Sequence, residues 1–120
     1  MDGVLELVKF TLTHTAKPPG PEEDNLYSEV AAKLKGANPE VWTIDQTTGH
    51  MYGTEKDPKW EAGHITYAAD IDAPNEQAAQ EAWTSQVEEA RKVAASERIK
   101  VHGFAPDVWP ELKPVTFKKR

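Results

Sequence analysis

The sequence predicts an α+β fold, a βαββαβ sandwich built as a single domain of 120 residues. Three observations predict it. An apolar strand precedes a short helix, two strand-like stretches then carry His50, Tyr52, His64 and Tyr67, and one long amphipathic helix leads to a final strand. Polar residues that interrupt these strands point to a pocket, because a ligand site sets a few convergent polar groups on apolar walls.

Each element follows from local pattern. Val4 to Thr13 (VLELVKFTLT) is β-branched and apolar, with Val4, Glu6, Val8 and Phe10 alternating against Leu5, Leu7, Lys9 and Thr11. Large apolar groups in both sets imply cover on both sides of the strand, helices on one and a second subunit on the other. Thr15 to Pro21 holds three prolines and a glycine and reads as a loop. A helix follows: Glu22, Glu23 and Asp24 put negative charge in its first turn, Leu26, Val30 and Leu34 share one face, and Gly36 suits its end. Val41 to Gln46 and His50 to Glu55 read as one bent strand or a strand pair, broken by Thr47, Thr48 and Gly49. Lys56 to Lys59, with Asp57-Pro58, is a connection.

Gly63 to Ile71 (GHITYAADI) is the most chemically loaded strand, with His64, Thr66, Ala68 and Asp70 alternating against Ile65, Tyr67, Ala69 and Ile71. Asp72 is the expected N-cap of the long helix and Pro74 falls in its first turn. Ala79, Ala82, Trp83, Val87, Ala90 and Val93 or Ala94 then form its buried face. Arg98 to Phe104 is the expected last strand. The core would then span residues 4–106, with 107–120 an extended, Pro-rich tail whose apolar anchors, from Trp109 to Phe117, pack on a partner.

Composition narrows the function classes. A net charge of -6 repels a phosphate backbone, so nucleic acid is not an expected partner, and Lys118, Lys119 and Arg120 read as a solvated tail. With no cysteine there is no thiolate nucleophile, disulfide or thiolate-ligated metal, which fits a cytoplasmic protein. The first residues offer neither a basic leader nor an adequate apolar run, so no signal peptide is expected. No stretch approaches the roughly 18 to 20 apolar residues of a membrane span. The four histidines lie far apart without a metal-ligand spacing, and no glycine-rich phosphate cradle occurs, so neither metal nor nucleotide cofactor is expected.

Leu5 to Phe10 (LELVKF), Tyr52-Gly53 with Glu55 and Asp57-Pro58, and Gly63-His64-Ile65 ahead of an amphipathic helix resemble the dimeric α/β-barrel superfamily. The nearest likeness is to small stress-responsive and antibiotic-biosynthesis-monooxygenase-like barrels, including polyketide cyclases similar to olivetolic acid cyclase. The resemblance covers residues 4–106. It implies a ferredoxin-like protomer with an antiparallel sheet, a homodimer in which two sheets make a barrel, and a ligand pocket between sheet and helices. It also implies cofactor-free cyclisation, isomerisation, decarboxylation or oxygenation by histidine-centred proton transfer. His64 matches the family's histidine on the third strand. The chain departs from the cyclases in having no histidine between Asn75 and Glu97, and in carrying Gly103 near the place of a carboxylate.

The candidate catalytic residues are His64, His50, Tyr52 and His102. An imidazole can remove and return one proton near neutrality, and a phenol can hydrogen-bond a developing oxyanion. Thr66 and Asp70 share the face of His64 and could orient its ring, while Trp42, Trp83 and Tyr27 could wall a planar substrate. The plainer alternatives are a hydrogen-bonded core or dimer-seam histidine at 64, a surface hairpin around His50 and Tyr52, and ordinary core packing for Trp83. Tyr67 is expected to pack, and His14 to be exposed beside the Pro-rich loop. The expected function is a cofactor-independent cyclase or isomerase of a small aromatic or polyketide-like metabolite, by aldol-type closure or intramolecular addition of a hydroxyl to an alkene. The alternatives are a cofactor-free monooxygenase and a non-catalytic stress-related or ligand-binding dimer.

Overall fold

The computed structural model describes residues 6–119, so the expectations for Val4, Leu5 and Arg120 lie outside the described residues. Strand β1 (Val8–Ala16) opens the fold, helix α1 (Pro21–Ala37) follows, then β2 (Trp42–Thr47), β3 (His50–Gly53), β4 (Pro58–Glu61), β5 (His64–Ala73), α2 (Glu76–His102) and β6 (Val115–Lys118). Four strands form one sheet in the order β2-β5-β1-β6, each neighbouring pair antiparallel. This mixed α+β arrangement, with two helices and an antiparallel sheet, is compatible with a ferredoxin-like fold.

Register follows from alternation. Phe10 lies opposite Ile71, Leu12 opposite Ala69 and Ala16 opposite Ile65, and these side chains turn toward the helices. Their neighbours Lys9, Thr11, Thr13 and Thr15 turn the other way. The first strand therefore has one apolar face, and the expectation of two fails within the described residues: Leu7 precedes β1 and is exposed. The space between sheet and helices is filled. Leu12, Ile65, Tyr67, Ala69, Trp42, Trp83, Val30 and Leu34 are buried there, with the Trp42 and Trp83 rings tilted at 50° and 4.7 Å between centroids.

Helix α1 begins where Pro21 takes a first-turn position that needs no N–H, with Glu22, Glu23 and Asp24 beside the positive end of its dipole. Helix α2 starts at Asn75, whose side chain accepts from Ala78 N–H at 2.8 Å; Asp72, the expected cap, is instead the next-to-last residue of β5, 3.7 Å from Lys9. The helix then runs through the segment expected to be the last strand. Ile99 and Val101 alternate like strand residues, but Arg98 is clamped to α1 through Glu29 at 2.5 and 2.7 Å and Glu22 at 3.0 Å, and the helix stops only at Gly103 in a left-handed conformation. The edge strand comes from the tail instead, β6 pairing with β1 from Thr13↔Val115 to Phe10↔Lys118. The tail packs on its own chain, with Leu112 in the core.

The stretch expected as one bent strand or a pair is two strands, and the connection around Asp57-Pro58 is the tip of a hairpin whose return strand, β4, the pattern did not reveal. This β3–β4 arm is exposed along nearly its whole length and contributes to a long molecule of 70 × 30 × 21 Å.

Candidate functional site

The nine residues singled out from the sequence fall into four places. His64, Thr66 and Asp70 do share a face, as the alternation required, but it is the face turned away from the helices. His64 has a side chain 44% exposed, with Nε2 3.7 Å from Asp45 Oδ2. Thr66 meets Thr15 hydroxyl to hydroxyl at 3.0 Å, and Asp70 accepts from Thr11 Oγ1 at 2.7 Å and pairs with Lys119 at 3.1 Å. Those partners hold the Asp70 carboxyl below the usual carboxylate range, the Thr11 hydrogen bond first and Lys119 next.

His50 and Tyr52 sit together on the arm, ring centroids 6.4 Å apart, but both are exposed, and His50 faces only Glu61 at 3.8 Å. His102 ends α2 in solvent. Trp42, Trp83 and Tyr27 lie on the helix side of the sheet. The helix–sheet pocket expected around His64 is therefore not formed around it: a period of two puts its ring on the opposite face from the tryptophans. Trp60 donates from its indole to Pro18 O at 2.9 Å and braces the arm against the loop.

A different cluster forms on the helix side, around Tyr67. Its hydroxyl is buried and donates to the Tyr27 carbonyl at 2.5 Å. Burial raises its ionisation well above the ordinary phenol value, Tyr27 adds to the rise, and Arg91 opposes it. Tyr27 is raised too, by burial. The Tyr27 ring centroid lies 6.4 Å from that of Tyr67, and the His14 ring centroid 6.3 Å from it. His14 Nδ1 is 3.0 Å from Lys113 O. A carbonyl only accepts, so Nδ1 carries the proton and, in the neutral ring, Nε2 keeps the basic lone pair.

The C-terminal segment closes this cluster from outside. Trp83 Nε1 donates to Leu112 O at 2.9 Å, Arg91 Nη2 donates to Pro110 O, and Leu112 is buried. A crevice of about 160 Å³ lies beside it, lined by Thr84, Val87, Arg91, Glu111, Leu112 and Lys113. Arg91 Nε is buried without a hydrogen-bond partner among the described residues. A larger groove of about 500 Å³ runs between α1 and α2 past Leu34, Gly36, Gln86 and Ala90. Among the described residues no three His, Asp or Glu side chains gather closely enough to hold a metal ion, and no helix is long and apolar enough to cross a membrane.

Sequence reading placed Tyr67 in packing, where it is, and His14 in solvent, where the structure has it half-buried beside Tyr67. The available signal was that His14 follows Phe10 and Leu12 at steps of two, on the apolar face of its strand. Arg91 gave none, since a basic residue on a mostly polar helix reads as solvated. No protein-family model matches the chain, and no curated protein matches it either.

Proposed function

We propose that the chain is a cofactor-independent cyclase or isomerase of a small aromatic or polyketide-like metabolite, working by general acid–base proton transfer. The observation that carries this reading is the His14–Tyr67–Tyr27 line: an imidazole with a defined basic nitrogen whose ring lies 6.3 Å from that of the buried Tyr67, which in turn lies 6.4 Å from that of Tyr27. Such a set meets the needs of ring closure. His14 Nε2 removes a proton from the carbon next to a carbonyl, the resulting enolate attacks a second carbonyl of the same molecule, and the Tyr27 hydroxyl, the Tyr67 proton being already given to the Tyr27 carbonyl, supports the new alkoxide until the proton returns to it.

The partner in this reading is a second copy of the chain. The uncovered sheet face carries Thr11, Thr13, Thr66 and Ala68, all only half-exposed, with Val115 and Phe117 exposed at its β6 edge. Two such faces apposed give a barrel of eight strands and set His64 at the seam.

The test is direct. Linear poly-β-keto acids and alkenyl phenols incubated in H₂O without added cofactor are converted at constant mass or with loss of one water, and the same reactions in D₂O put solvent deuterium into the ring-closure product. His14→Asn lowers the rate at least about a hundredfold, the usual scale of acid–base catalysis. A His14→Asn protein as fast as the parent overturns the assignment, and oxygen uptake during turnover favours a monooxygenase. The second reading is a non-catalytic stress-related or ligand-binding dimer; the filled space between sheet and helices supports the absence of catalysis there and puts any bound ligand elsewhere. Light scattering separates the oligomeric part: a dimer of twice 13.4 kDa is expected, and a monomer at micromolar concentration overturns it.

A further inference from the structure

The segment from Ala105 to Leu112 has no regular structure, contains Pro106 and Pro110, and leaves α2 through the left-handed Gly103. It runs beside the Tyr67 cluster, with Leu112 in the same core and the crevice of about 160 Å³ along its flank. Its hold there is specific and thin. Leu112 is its one buried side chain, and two donors from α2 grip its carbonyls, Trp83 at Leu112 O and Arg91 at Pro110 O. At one end His14 meets Lys113 O, just before β6 takes the chain into the sheet; at the other, Trp109 stacks under Arg98 at 6.0 Å and donates to Pro106 O.

The fit to Arg91 is incomplete. A guanidinium offers Nε–H and one Nη2–H side by side, a fork that matches the two oxygens of a carboxylate. The single Pro110 carbonyl takes Nη2 and leaves Nε buried with no acceptor among the described residues, so that donor's lost hydration goes uncompensated. A carboxylate in the same place satisfies both. Trp83 Nε1, freed from Leu112 O, supplies a third donor beside the fork, and the volume vacated by the Leu112 side chain joins the 160 Å³ crevice.

We propose that Ala105–Leu112 is a strap standing in for the substrate, and that the site under it takes an aromatic carboxylate, whose acid group binds Arg91 while its rings replace Leu112. The proposal rests on the reading of the Tyr67 cluster as the working site and names its substrate class. Gly103 at one end and the β6 anchor at the other let the strap lift without unpairing the sheet.

The probe is 2-naphthoate, followed by its own fluorescence, with methyl 2-naphthoate as the neutral control. Leu112→Ala, which loosens the plug, is expected to bind 2-naphthoate at least tenfold more tightly than the parent and to favour acid over ester. Adding Arg91→Met removes the preference for the acid. Equal affinity of parent and Leu112→Ala, including no binding by either, overturns the proposal, as does an equal gain for acid and ester. Should Leu112→Ala not fold, hydrogen exchange on the parent decides: with saturating 2-naphthoate the amides of residues 105–112 exchange faster if the strap lifts, and unchanged or slower exchange overturns it. All readouts are binding, so a protein that turns nothing over but passes them loses the enzyme reading and keeps the strap.

Discussion

The Tyr67 hydroxyl donates a 2.5 Å hydrogen bond to the backbone carbonyl of Tyr27, tying the middle of β5 to the first helix through the core. Tyr67→Phe removes that bond and leaves a buried carbonyl short of its donor, so a loss of about 1–2 kcal/mol is expected in urea unfolding at neutral pH.

The same residue sets an alkaline limit. Burial raises the folded-state value of Tyr67 above the ordinary phenol value near 10, so between the two values the unfolded chain binds fewer protons than the folded one. Stability is therefore complete below about pH 10 and declines as the pH rises beyond it. Tyr67→Phe is expected to show a shallower decline there than the parent, read as denaturation midpoint against pH. A decline of equal slope in both proteins contradicts the assignment.

Asp70 acts in the opposite sense. Thr11 and Lys119 hold its carboxyl below the unfolded value, so its contribution is present above roughly pH 4 and disappears as the pH falls through its folded value. The group is part-exposed, so Asp70→Asn is expected to cost less than about 1 kcal/mol at pH 7 and to bring parent and variant together at low pH. Midpoints measured at both ends check it.

Arg98 joins the two helices by a two-pronged pair with Glu29 and a third contact with Glu22, and its side chain is only 14% exposed. Arg98→Met is expected to destabilise by about 1–3 kcal/mol and Arg98→Lys to recover only part of that, because an ammonium cannot match the planar fork. Thermal unfolding of the three proteins checks the order.

Two glycines make opposite cases. A Cβ on Gly63 would sit 1.8 Å from Thr47 O, where backbone meets backbone as β2 and β5 lead into the arm, so Gly63→Ala is expected to cost more than about 2 kcal/mol. Gly36, in the last turn of α1, has nothing within 4 Å, and Gly36→Ala is expected to stabilise by about 0.5–1 kcal/mol. Melting temperatures shifting in the same direction contradict the pair.

The sequence by itself determined the α+β class, the presence and apolar face of α1, the buried stripe of α2 and the faces of β5, because each follows from a short-range period and from punctuation by proline, glycine and charge. It also determined that His64, Thr66 and Asp70 stand together and apart from Tyr67. What only the tertiary structure decided was which of those two faces the helices cover, and with it whether histidine or tyrosine lies inside. Alternation states that two sets differ, while burial assigns them, and burial depends on partners distant in sequence. The last strand was misplaced for the same reason: Ile99 and Val101 alternate as well as Val115 and Phe117 do, and only the grip of Arg98 on Glu29 and the free edge of β1 chose helix for one pair and strand for the other.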